Sequence, residues 1–334
     1  MSENVRAALL ENNKRRKRVS VMSPNRLDLK VQVANMYYRQ NLSQQEIAEE
    51  LNISRTTVSR ILKNCIEEGI VSIHIKNTSM YQYELEKKLE KRYGLKHVCV
   101  VSDKNDNELI RKAIGESTAD YLKSAINENV RIGVSAGTTI ASIIYRLQAI
   151  DRYNIDVFQM QGDASHQMSN CSSFLAIDLA KILGGTPHAM HVPLLVHTKV
   201  LRDLLLEEPF NKKHFQELAN LDIAIVGLGL LDAILPNTSD TWYNFTTDKE
   251  ELRGKNVVGD ICGTFIDYDG NLCDADIQDR TIAIPLEQLR KIPHCIAVAF
   301  GRNKKYIAKA AIKGRYINVL MTDESLACAL LEED

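Results

Sequence analysis

Three groups of residues in this 334-residue chain are of types, and at spacings, that do chemistry. The first is Arg55, Thr56, Thr57, Ser59 and Arg60, which follow Ser54. They occupy the N-terminal end and one face of a helix whose other face carries Val58, Ile61, Leu62 and Cys65, an apolar stripe at i, i+3, i+4 and i+7. Donors of that length reach base edges and phosphates when a helix end enters the major groove of DNA. No acid occurs from Ser54 to Lys63, as contact with a phosphate backbone requires. The second group is Ser135-Ala136-Gly137-Thr138-Thr139, directly after an apolar run and directly before a helical pattern. Free N–H groups at such a turn, with two threonine hydroxyls, suit a phosphate. Gly301-Arg302-Asn303-Lys304-Lys305 repeats that arrangement after another apolar run and adds positive charge. The third group is acidic. Asp260 could accept hydrogen bonds from ligand hydroxyls, and Asp267–Gly270 reads as a turn. Asp163 and His166 form a candidate acid/base pair, against which stands the plainer reading of solvated loop residues.

The elements that position these groups follow from periodicity. Ser43 caps a short helix carrying Ile47, Ala48 and Leu51 inward, Asn52-Ile53-Ser54 makes a turn, and Ser54 caps the next helix. The small Ala48 lies where two helices cross closely. An upstream helix presents Leu29, Val33, Met36 and Tyr37 on one face. This is a helix-turn-helix, in which Gln44, at the start of its first helix, and Arg60 are expected on phosphates. Arg55 with Thr56 or Thr57 is expected at base edges. Glu68-Gly69 stops the second helix, Ile70–Ile75 alternates as a strand or wing, and Asn77–Ser79 is the expected domain junction.

From Leu95 the pattern changes to alternating strands and helices. Strands are expected at His97–Ser102, Val130–Val134, Ile155–Met160, Leu221–Val226, Thr281–Ile284, Cys295–Phe300 and Ile317–Met321. Helical patterns occupy Glu108–Ile126, Thr138–Leu147, Ser172–Leu183, Asn303–Ile312 and Asp323–Leu331. Short apolar runs separated by helices imply a parallel sheet covered on both faces. In such a sheet ligands bind outside the carboxyl ends of the strands, where both glycine-containing loops fall. Gly227-Leu228-Gly229 reads as a close-packed turn after a strand. The third glycine of a dinucleotide fingerprint is missing, because position 232 is Asp.

The formal net charge of −1 hides an asymmetry. Residues 1–78 carry 13 Lys/Arg against 8 Asp/Glu, and the remainder 29 against 35. A basic end on an acidic body suits a protein that touches DNA with one end. Lys14–Arg18 forms a basic arm with two readings, a solvated tail or a phosphate contact. Without a run of 18 apolar residues, no transmembrane helix is expected. Ala7–Leu10 is too short for a signal-peptide core, and seven dispersed cysteines without a Cys-x-x-Cys pair read as reduced thiols of a cytoplasmic protein. His188 and His191 lack a third ligand nearby, so no metal and no cofactor are expected.

Over nearly its full length the chain resembles the SorC family of sugar-responsive bacterial transcription regulators. The resemblance rests, in family order, on SRTTVSRIL, LEKKLEKRYGLKHVCVV, RIGVSAGTT, IVGLG, VVGDICGTFIDYDG and IPHCIAVAFGRNKKYIAKAAIKGRYINVLMTDESLA. It implies a small all-α, winged-helix-like helix-turn-helix domain followed by a large Rossmann-like α/β domain related to sugar-phosphate isomerases. The boundaries expected are a basic arm at 1–22, the DNA-binding domain at 23–78, a connecting helix at 79–94 and the effector-binding and oligomerisation domain at 95–334. The implied partners are double-stranded operator DNA, a phosphorylated sugar and further copies of the chain as a homodimer or homotetramer. No membrane partner is expected. By position, Ala136, Gly137, Thr138 and Thr139, with Ser135 before them, match the family's phosphate loop. Gln161 and Gly162 match the loop after the third strand. Asp260 matches an acid facing sugar hydroxyls, and Lys304 the basic residue of the second anion loop, with Lys305 as the register alternative. Two departures are Ala136, where many members carry Gly or a large residue, and the lack of an Arg near Gln161, which argues against a bisphosphate.

The function expected is control of a carbohydrate-metabolism operon by a sugar phosphate. The alternative is an active sugar-phosphate isomerase or deaminase fused to a DNA-binding module. Against it stands the want of a base, acid and nucleophile set beyond Asp163 and His166. A recombinase lacks its nucleophilic Ser or Tyr with supporting arginines.

Overall fold

The computed structural model describes residues 26–71, 80–104, 106–126, 129–147, 154–164, 170–231 and 246–333. The basic arm, most of the expected wing, the junction at Asn77–Ser79 and His166 lie outside the described residues. The chain divides into two units, Met1–Asn77 and Thr78–Asp334.

Among the described residues the first unit contains three helices, α1 (Arg26–Tyr38), α2 (Gln44–Glu50) and α3 (Arg55–Glu67). Ser43 caps α2 in a reciprocal box with Glu46, and Ser54 caps α3 by accepting from Thr57 N–H at 3.1 Å. Asn52 provides the left-handed residue of the turn, at φ 51°. Val33 and Met36 pack with Ile47, Ala48, Val58, Ile61, Leu62 and Cys65 in one core, with Leu29, Tyr37 and Leu51 at its margin. Ile70 and Val71 pack against the same core.

The second unit opens with α4 (Met80–Tyr93) and continues β1 (His97–Val101), α5 (Asn107–Ala125), β2 (Arg131–Val134), α6 (Thr138–Ile144), β3 (Asp156–Gln159), α7 (Ser172–Leu183) and β4 (Thr186–His188). It then runs through α8 (Lys199–Glu207), α9 (Pro209–Glu217), β5 (Ile223–Gly229), α10 (Thr246–Gly254), β6 (Val257–Ile261) and β7 (Thr264–Asp267). Two one-turn helices, α11 (Asp276–Asp279) and α12 (Leu286–Leu289), lead to β8 (His294–Val298), α13 (Lys305–Lys313), β9 (Val319–Asp323) and α14 (Glu324–Leu331).

Seven strands form a parallel sheet in the order β1-β9-β8-β5-β2-β3-β4. Alternation of side chains across it explains the unbroken apolar runs. Ile223 and Ile225 of β5 face one core with α5, α6 and α7, while Ala224 and Val226 face the other with α4, α13 and α14. Both edges are managed. β4 contains Pro187, tolerated because an edge strand need not donate on its open side. At the β1 edge, Glu86 and Glu90 of α4 accept from Val100 N–H at 2.9 Å and Val98 N–H at 3.2 Å, supplying the acceptors a missing strand would bring.

The chain moves outward from β2 through β3 and β4, returns at β5 on the other side of β2, and moves outward again through β8 and β9. The reversal lies between β2 and β5, the topological switch point at which open α/β sheets bind ligands.

Two expectations need correction, and one element was not expected. Thr281–Ile284 is no strand. It is an extended crossing segment with isolated bridges, Gln161 to Ala283 and Leu195 to Thr281, and Pro285 ends it. Gly227-Leu228-Gly229 does not follow β5 but forms its last three residues, because Leu228 and Gly229 pair with Ile261 and Asp260. The Gly- and acid-rich stretch from Val258 is a β-hairpin whose Cys262-Gly263 turn has both residues at positive φ, 55° and 78°, the geometry that matches strand twist.

Candidate functional site

The hairpin β6–β7 grows from the end of β5, so it overhangs the switch point. That placement requires glycine. A Cβ on Gly259 would lie 2.2 Å from the Gly229 carbonyl oxygen. It also sets Asp260 opposite Gly229, in antiparallel pairing, at the carboxyl end of the sheet. Asp260 is 8% exposed, and its carboxylate accepts from Gly263 N–H at 2.6 Å. Burial pushes its carboxyl up to about 6, against the pull of that N–H and of the Lys304 ammonium.

Lys304 reaches the same place from the loop after β8. Its ammonium donates to the Leu228 carbonyl, and burial pushes its pKa down while Asp260 opposes the shift. Lys305, the register alternative, instead pairs with Glu332 at 3.6 Å. Gly301 turns the loop at φ 87°, and its N–H donates to both oxygens of the buried Asp323 carboxylate, at 3.1 Å each.

The loop after β2 closes the other side. Ser135 is buried, and its hydroxyl accepts from Gly227 N–H at 3.3 Å, so the side chain ties β2 to β5. Gly137 is the N-cap of α6 at φ 128° and provides no side-chain cap, which leaves the first N–H groups of the helix to other acceptors. Thr138 is exposed there, with Ala136, Gly137 and Thr139 half-buried. Gln161 is buried, and its amide oxygen accepts from Ala136 N–H at 3.4 Å, joining the loops after β2 and β3. Gly162 is less available. Its N–H donates to Ile282 O at 2.9 Å, and the Pro193 carbonyl lies 2.3 Å from where a Cβ would stand.

Ala136–Thr139, Gln161, Asp260 and Lys304 thus meet through a continuous set of contacts at one crevice. It offers N–H donors and one cation to an anion, and one carboxylate to hydroxyls. Asp163, by contrast, works structurally: its carboxylate accepts from Ser173 N–H at 3.1 Å and Ser173 Oγ at 2.5 Å, at the start of α7. Among the described residues no group of three or more His, Cys, Asp or Glu could hold a metal, and no helix is long and apolar enough to cross a membrane. The seven cysteines are free thiols, six of them buried. Sequence reasoning missed the role of Asp323, although an acid at the end of the strand Val319–Asp323 and directly before a helix is a readable N-cap signal.

In the first unit, Arg55, Thr56, Ser59 and Arg60 are exposed on α3, and Thr57 and Gln44 half-buried. Ser54 Oγ lies 2.7 Å from Thr56 Oγ1 and 2.8 Å from Thr57 Oγ1, so the cap also orders these hydroxyls. With no acid in its first turn, α3 presents a cationic, donor-rich N-terminal end.

Comparison with known proteins agrees with both halves. Residues 39–72 match the winged helix-turn-helix DNA-binding family, and residues 79–332 the Sugar-bind family of sugar-binding domains. The chain is 32% identical over 320 residues to the deoxyribonucleoside regulator of Bacillus subtilis (strain 168), covering 93% of this chain and 100% of that protein. It is 31% identical over 312 residues to the sorbitol operon regulator of Klebsiella pneumoniae, covering 90% and 97%. The crystal structure of the full-length sorbitol operon regulator SorC from Klebsiella pneumoniae aligns with a TM-score of 0.70 at 30% identity, over 91% of this chain and 98% of that one. A helix-turn-helix in one unit and a parallel-sheet domain of the sugar-binding family in the other, matched over 90% or more of the chain by such relatives, mean that the chain belongs to the SorC family of sugar-responsive transcription regulators.

Proposed function

We propose that the protein reads operator DNA through α3 and that its affinity for the operator is set by a phosphorylated sugar held at the β2/β5 switch point. The observation that carries the proposal is the convergence of Lys304, from the loop after β8, and Asp260, from strand β6, at the last residues of β5. A cation with free N–H groups complements a phosphate, and a buried acceptor complements hydroxyls. In this reading Gly137, Thr138 and Thr139 hold the phosphate with Lys304, Gln161 adjusts the loop, and Asp260 orients the sugar. Arg55 and Thr56 address base edges, while Gln44 and Arg60 address phosphates. The operon controlled is one of carbohydrate metabolism, the protein works in the cytoplasm, and it binds its effector without turning it over, as its relatives are named regulators.

A two-fold arrangement would match two half-sites about 34–36 Å apart or a multiple of that. The surface of α8 supports self-association: Val200, Leu201 and Leu204 are exposed, as is Phe210 at the start of α9. The test of the effector is a thermal-shift panel of sugar phosphates against their unphosphorylated sugars. A ligand at 100 times its Kd stabilises by about 2.7 kcal/mol. A response to the unphosphorylated sugars alone would remove the phosphate from the proposal.

A further inference from the structure

The last helix, α14, is held at both ends by two different parts of the second unit. One part is the loop that carries Lys304. Gly301 N–H binds Asp323, whose Oδ1 also accepts from Leu326 N–H at 3.0 Å and so caps α14. At the other end of α14, Arg302 grips both oxygens of Glu332 at 2.6 and 2.7 Å, and Lys305 approaches the same carboxylate at 3.6 Å. The other part is α4, the helix by which the chain enters this unit. Gln82 donates to Glu324 Oε1 at 3.1 Å, next to Asp323. Tyr93 Oη donates to Leu330 O and Arg92 to Leu331 O, each at 2.5 Å, while Tyr81 Oη lies 3.3 Å from Cys328 Sγ.

We infer that α14 is the transmission element between the effector loop and α4, and through α4 the element by which effector binding is reported toward the DNA-binding end of the chain. This rests on the effector site proposed above. The physical ground is that both neighbours hold the helix by directional bonds at each end, so a change in the Gly301–Lys304 turn alters the cap at Asp323 and the clamp on Glu332 together. A short helix gripped this way moves as a body. Its apolar face, Leu326, Ala327 and Leu330, packs in the core that also contains Leu85 and Leu89 of α4, and close-packed elements shift between discrete arrangements instead of deforming continuously. Asp323 and Glu332 are therefore positioning residues and Gln82 and Tyr93 the receiving ones. Glu86 and Glu90, one turn apart on α4, tie that helix to β1, which gives it a fixed edge about which to respond.

The test is hydrogen exchange on the full chain, with inorganic phosphate and fructose 6-phosphate as probes at concentrations set by thermal shift. Peptides spanning 299–305, 324–331 and 80–93 are followed in the wild type and in the double variant Gln82→Leu with Tyr93→Phe. Both residues bond directly to α14. In the wild type, probe is expected to slow exchange about twofold or more in all three peptides. In the variant 299–305 should slow as before and 80–93 should not. The relay is overturned if 80–93 slows equally in the variant, or if 299–305 responds in the wild type while 80–93 does not. If no probe protects 299–305 in either protein, the effector site itself falls, and the relay with it.

Discussion

Replacing Lys304 by alanine separates the effector reading from its nearest competitor. Lys304 is the cation at the crevice, and Lys305, one residue on, pairs with Glu332. A hydrogen bond to a charged group contributes about 1.5–3 kcal/mol. At 1.4 kcal/mol per tenfold, its loss weakens a sugar phosphate by about 10- to 150-fold. The bond to the Leu228 carbonyl must be exchanged for the phosphate, which places the expectation in the lower half of that range. The consequence can be read in a melting experiment. Ligand at 100 times the wild-type Kd stabilises the wild type by about 2.7 kcal/mol, whereas after a loss of about 20-fold the same concentration gives only about 1.1 kcal/mol. Thermal shift and calorimetric titration, run on Lys304→Ala and Lys305→Ala side by side, decide the matter. The expected result is a shift cut to less than half in Lys304→Ala and a near wild-type shift in Lys305→Ala. The reverse pattern would refute the assignment of Lys304 and with it the geometry of the second anion loop.

Two further outcomes follow from the same structure. Arg55→Ala should weaken operator binding by about 1–3 kcal/mol and relax specificity at one base pair, and equal losses on operator and random DNA in an anisotropy titration would show a backbone contact only. Asp260 gives a pH signature. Its folded carboxyl pKa of about 6 lies above the ordinary 3.8, so the folded state binds more protons in that window and stability falls as pH rises through it. Asp260→Asn removes this loss, so its stability relative to wild type should grow by about 1–3 kcal/mol from about pH 4 to about pH 7 in denaturant titrations, and a constant difference across that range would contradict the burial argument.

Where the sequence was readable, a physical reason can be given. The apolar runs around Val130–Val134 and Ile317–Met321 are legible because parallel strands are buried on both faces, and Ser172–Leu183 because a helix that lays one face on a core repeats its apolar residues every turn. The α2 and α3 caps are legible because Ser43 and Ser54 act within three residues of themselves. The hairpin Val257–Asp267 was hidden because its glycines and acids serve close approach to Gly229 and the crevice instead of alternation. Thr281–Ile284 misled because a run of apolar and β-branched residues reads as a buried strand, while the partners of Ile282 and Ile284 are loop carbonyls, Leu194 O and Met160 O. For the site, the local signal of a glycine turn between strand and helix located both loops. Which of Lys304 and Lys305 turns inward depends on the 3-10 turn at Arg302–Lys304, a tertiary result that residue types do not encode. The bond from Gly301 to Asp323 likewise joins residues 22 positions apart.

The account stands on one coupling, between a phosphorylated sugar in the second unit and DNA on the first. The most direct measurement is the affinity of the full chain for an operator fragment selected from genomic DNA, titrated with and without the sugar phosphate that the thermal-shift panel identifies. Allosteric couplings are typically about 1–3 kcal/mol, so operator affinity should change by roughly 5- to 150-fold in the wild type. In Thr138→Val with Lys304→Ala the operator should bind as in the wild type without ligand, and the response should vanish. An operator affinity that stays the same in the wild type with the ligand bound, or a double variant that responds in full, would contradict the account.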